Sequence, residues 1–104
     1  MKIELLYVPN CPNHAVALER LREVLSPEGL HAVVNEVLVK DVEMAQSLRF
    51  PGSPTIRVDG CDVEPQSEHT KSFGVMCRLY SDGSGVPSEK SLRAAIEKAR
   101  VSGV

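Results

Sequence analysis

Six residues near the N-terminus, IELLYV from Ile3 to Val8, constrain the fold of this chain more than any other stretch. They form an almost unbroken apolar, β-favouring run, the pattern of a strand covered on both faces. A strand of that kind needs helical cover on either side of its sheet. The question for the rest of the sequence is whether it supplies such helices.

It does. After the turn Pro9-Asn10, residues Ala17, Leu18, Leu21, Val24 and Leu25 fall at the i, i+3, i+4, i+7 spacing of an amphipathic helix that runs from Pro12. Glu19, Arg20, Arg22 and Glu23 take its other side, and Ser26-Pro27-Glu28-Gly29 ends it. The Val-rich stretch from Leu30 to Lys40 reads as a second strand, and Asp41 is placed to cap a short helix reaching about Leu48. Thr55 to Val58 is a short third strand ended by Asp59-Gly60. Residues 61–73 read as irregular, and Gly74 to Tyr80 as a fourth strand. After the turn Ser81 to Gly85, Pro87-Ser88 opens a last helix with Leu92, Ala95, Ile96 and Ala99 as its buried stripe.

The order β-α-β-α-β-β-α implies an α/β fold with helices on both faces of a four-stranded mixed sheet. The two strand–helix–strand steps imply parallel pairing, and a hairpin completes the sheet. With 104 residues, no repeat and no linker, residues 1–104 are expected to form a single domain. Net charge is −2 and Lys and Arg are scattered, so neither nucleic acid nor a membrane surface is implied as a partner. No stretch approaches the roughly 20 apolar residues of a membrane span, and the expected location is the cytoplasm. Three cysteines, an odd number, make a poor disulfide framework and leave a free thiol in any monomer.

Cys11 is the residue with a chemical reading. It follows the first strand at the start of the first helix, where unpaired N–H groups and the helix dipole favour an anion such as a thiolate. Pro12 suits a first helical turn, where its missing N–H costs nothing. His14 either faces solvent or, lying one turn on, serves as cation and proton donor or acceptor for the sulfur. Gly52-Ser53-Pro54-Thr55 precedes the third strand, and its Ser53–Pro54 bond is a candidate cis peptide. Cys77 is either a small core residue or a second thiol, and Cys61 is an exposed turn residue. Arg57 and Arg78 are expected to face solvent from their strands.

CPNH at a strand–helix junction, SPT before a short strand ending in DG, and the element order together resemble the thioredoxin and glutaredoxin superfamily. The resemblance covers essentially the whole chain. The run FPGSPTI.VDG followed by G..CR.Y is most similar to small bacterial thioredoxin-like proteins, some catalogued as alkylmercury-lyase-like. It implies a thioredoxin-like fold, Cys11 as the nucleophile, Pro54 as a cis-proline beside it, and Ser53 offering backbone groups to an extended substrate; Pro12 and Thr55 complete that substrate-binding set. His14 stands where the superfamily's second motif cysteine would be, so the local disulfide cannot form. SDGSGVPS stands in place of the glutaredoxin Gly-Gly motif and does not support a glutathione site.

The function these residues imply is that of a monothiol redox protein, a possible thiol-disulfide oxidoreductase, in which Cys11 forms mixed disulfides with a protein or small-molecule thiol. A second thiol resolves them, Cys77 being the internal candidate. Two alternatives stay open. One is a thiol-based zinc or organomercurial site, with Cys11, His14, Cys61, His69 and Cys77 as candidate ligands for a soft metal ion, or an alkylmercury lyase-like activity. The other is a non-catalytic binding module on the same fold. No organic cofactor is implied.

Overall fold

The computed structural model describes residues 1–26, 34–64 and 73–102. The described elements run β1 (Ile3–Tyr7), α1 (His14–Leu25), β2 (Val34–Leu38), α2 (Val42–Ser47), β3 (Thr55–Val58), β4 (Cys61–Asp62) and α3 (Glu89–Ser102). They make an α/β fold with one four-stranded mixed sheet in the order β2-β1-β3-β4.

β1 takes the central place that its apolar run demands. Ile3 and Leu5 point to one face, where they pack with Ala17, Leu21, Val24 and Leu25 of α1 and with Leu92 and Ile96 of α3. Leu6 and Val8 point to the other, packing with Val39, Ala45 of α2 and Phe50. The two-residue alternation of a strand thus feeds two cores. Each fully buried Ile, Leu or Phe adds about 1.5–3 kcal/mol of transfer free energy. Helices therefore cover both faces.

β1 and β2 pair in parallel, as the crossover through α1 requires. The second step differs from expectation, because β3 is antiparallel to β1. The length of α2 explains this. Its six residues span about 9 Å, too little to carry the chain back along the sheet, so β3 begins at the end where β2 finishes. Asp41 caps α2 as its position suggested, its Oδ1 accepting the Met44 N–H at 2.8 Å. Ser88 does the same for α3, accepting from the Ser91 N–H at 3.1 Å.

The fourth strand lies elsewhere than Gly74–Tyr80. It is Cys61–Asp62, folded straight back onto β3 with Arg57 opposite Asp62 and Val58 opposite Cys61. The turn is made by Asp59 and Gly60, both at positive φ. Residues 74–80 contribute one isolated parallel bridge, Cys77 to Ser53. The expected helix stop at 27–29 and the start of the expected second strand fall outside the described residues, as does His69.

Candidate functional site

The chain between β1 and α1 turns twice. Asn10 adopts positive φ, and the Cys11 N–H donates to the Val8 carbonyl at 3.3 Å. The His14 N–H then donates to the Cys11 carbonyl, also at 3.3 Å. α1 starts at His14 with Asn13 as its N-cap, so Cys11 and Pro12 sit in the turn before the helix rather than in its first turn. Pro12 cannot supply an N–H, and the turn closes around it instead.

The N-terminus of α1 differs from those of the other two described helices. Asn13 makes no side-chain cap, and the first turn holds no acidic residue. α2, by contrast, has the Asp41 cap and Glu43 in its first turn, and α3 has Ser88 and Glu89. The cause lies in the 81–86 loop. A Cβ at Gly85 would collide with Asn13 Nδ2, so the Asn13 side chain rests on that glycine instead of capping its helix. The His14 N–H is taken by the Cys11 carbonyl, and the start of α1 has neither a side-chain cap nor a first-turn carboxylate. Cys11 lies half-buried immediately before this helix start.

His14 does not face the same way. Its ring stacks on Tyr7, with centroids 3.7 Å apart and planes 5° from parallel, and its Nε2 lies 2.7 Å from Glu36 Oε1. Tyr7 and Glu36 belong to the sheet face that α1 covers, because Glu36 is paired with Leu5. Cys11 packs against the opposite cluster, with Leu6, Val8 and Phe50. Cys11 and the His14 imidazole thus lie toward opposite faces of the sheet, past the end of β1.

Gly52 to Thr55 adjoins Cys11 through Val8, whose N–H donates to Ser53 Oγ at 3.1 Å. The Ser53–Pro54 bond is cis. Ser53, Pro54 and Thr55 are all fully buried. Ser53 has no open backbone edge, since its N–H donates to Met76 O at 2.8 Å and its carbonyl accepts the Arg78 N–H at 3.1 Å. The segment around Cys77 occupies the place expected for an extended substrate.

That segment is pinned by Arg78, which is buried rather than solvent-facing. Its guanidinium forks onto Asp62 at 2.7 and 2.9 Å, donates to Thr55 Oγ1 at 3.0 Å and lies 4.2 Å over the Tyr80 ring. Burial alone would disfavour the charge, but the bond to Asp62, with the charges of Tyr80, Asp62 and Glu64, holds the Arg78 pKa above its ordinary value. The Tyr80 hydroxyl donates to Pro54 O, and burial pushes its pKa well above the usual phenol value. Gly52 has to be glycine here. Its φ is +141°, and a Cβ would come within 2.9 Å of Arg78 Cβ. Arg57 is only half-buried, donating to Arg49 O at 3.1 Å. The sequence signal for Arg78 and Asp62 is weak: both are charged residues in segments that show no partner for them.

Cys61 and Cys77 are exposed, and no disulfide joins the three cysteines. Among the described residues no three His, Cys, Asp or Glu side chains group as a metal site. A separate cleft of about 390 Å³, bordered by Arg49, Arg57 and Phe73, does not include Cys11 among its described lining residues. No described helix is long and apolar enough to cross a membrane. The chain matches no family model, no curated protein and no solved structure.

Proposed function

We propose that this chain is a thioredoxin-like monothiol redox protein with Cys11 as its nucleophile. The observation that carries the reading is the uncapped, acid-free start of α1 directly after Cys11, in a molecule whose other two described helices each have a cap and an acidic first turn. A thiolate at Cys11 receives the field that a capping carboxylate would otherwise neutralise. The sheet order β2-β1-β3-β4, with β3 antiparallel to β1, supports the thioredoxin-like reading.

On this mechanism Cys11 attacks a disulfide, forms a mixed disulfide and releases one thiolate. Ser53 supports the site from beneath by holding Val8, and through it the turn that carries the sulfur. His14 is a positioning residue that ties the first turn of α1 to Tyr7 and Glu36. The function is tested by incubating the protein with glutathione disulfide and weighing the product intact. Wild type and Cys61→Ser should react, and Cys11→Ser should not. Equal reaction in Cys11→Ser would overturn the assignment.

A further inference from the structure

The bridge between Ser53 and Cys77 is the part of the site that a lone nucleophile at Cys11 leaves unexplained. Ser53 lies between two backbones. On one side is Val8, just past the end of β1, which donates its N–H to Ser53 Oγ at 3.1 Å. On the other is Cys77, whose two neighbours satisfy the Ser53 N–H and carbonyl. Hydrogen bonds thus link Val8, Ser53 and the Cys77 segment in one row at the sheet end. Cys11 is joined to this row by its own N–H bond to Val8.

The row has a buried anchor and an exposed thiol-bearing segment beside it. Arg78 is locked by Asp62 and Thr55, and Tyr80 by Pro54. Val75, Met76 and Cys77 lie exposed immediately before that anchor, and Leu79, at 79% exposed, stands out between Arg78 and Tyr80. A salt bridge buried this completely is expensive to desolvate and is weak evidence for stability. Here it fixes the approach of a thiol-bearing segment to the site.

We propose that Cys77 is the resolving thiol built into this chain, the partner that completes the exchange begun at Cys11. The inference rests on the monothiol reading and deepens it. The Cys11 thiolate attacks one sulfur of a small disulfide, forming a Cys11 mixed disulfide and releasing the first thiolate. The Cys77 thiolate attacks the Cys11 sulfur, forming the Cys11–Cys77 bond and releasing the second thiolate. Two protein thiols lose two electrons and two protons, and one disulfide becomes two thiols. The disulfide consumed is a small molecule, because Ser53 has no free backbone edge to align an extended chain.

Glutathione disulfide serves as the probe, with peptide mapping under acid quench. Cys77 is exposed, so Cys77→Ser leaves the packing intact. Wild type should end as a Cys11–Cys77 disulfide with glutathione released. Cys77→Ser should lose that species and stop with glutathione on Cys11, and Cys61→Ser should behave as wild type. Glutathione retained on Cys11 in wild type, or a bridge from Cys11 to Cys61, would overturn the role of Cys77 while leaving Cys11 as nucleophile. No adduct on Cys11 in Cys77→Ser would overturn both.

Discussion

Asp62 and Arg78 show how much of the site rests on single residues outside it. Each is almost fully buried, and their bidentate pair also fixes Thr55 and the Tyr80 ring. Removing one member of such a pair leaves an uncompensated buried charge. Asp62→Asn should therefore cost about 3–5 kcal/mol, read as a lower urea midpoint at unchanged slope; a loss within about 0.5 kcal/mol, as for an ordinary surface change, would contradict this. Tyr80 makes stability depend on alkaline pH. Burial keeps its proton on in the folded protein above the ordinary value of 10.0, where the unfolded chain ionises. Its contribution is whole below that value and is lost as pH rises beyond it, at up to about 1.4 kcal/mol per pH unit. Urea titrations between about pH 9 and 11 should show a steeper loss for wild type than for Tyr80→Phe, and parallel losses would contradict the assignment. None of this was legible in the sequence. Arg78 alternates with apolar neighbours in GVMCRLY, which reads as a solvent-facing strand position, and its partner Asp62 lies in a stretch that reads as irregular.

At the scale of elements, legibility followed length and chemistry. β1, β3, α2 with its Asp41 cap and α3 were readable because apolar spacing and cap residues state them locally. β4 was not, since two residues carry no period, and GVMCRLY looks like a strand while forming only one bridge. The antiparallel course of β3 is set by the brevity of α2, a geometric consequence that residue patterns do not display. The start of α1 shifted to His14 because the Cys11–His14 turn closes on itself first. The helices also differ in what their termini do. Asp41→Ala should cost about 0.5–2 kcal/mol through loss of the α2 cap, measurable as a lower thermal midpoint. Asn13→Ala removes no cap from α1 and should cost less; the reverse order would show that the α1 N-terminus is capped in solution.

For the molecule as a whole, the sheet end gathers what the sequence scatters. Cys11, Ser53, Pro54 and Cys77 are spread along the chain, yet Ser53 accepts from the N–H groups of Val8 and Arg78 and donates to the Met76 carbonyl, and Cys11 donates to the Val8 carbonyl. His14, the residue nearest to Cys11 among the expected groups, is the one drawn away, onto Tyr7 and Glu36. The motif residues were legible, and their partners were not, because the partners are defined by strand order rather than by spacing. The central claim is that Cys11 is activated by its place in the fold. Site-resolved alkylation at one neutral pH tests it directly, comparing each cysteine in the native protein with the same cysteine in urea. Exposure alone ranks Cys61 and Cys77 ahead of the half-buried Cys11. If its place in the fold activates it, Cys11 reacts first and is the cysteine accelerated by folding. A native Cys11 that reacts no faster than in the unfolded chain, behind Cys61 and Cys77, would contradict the claim.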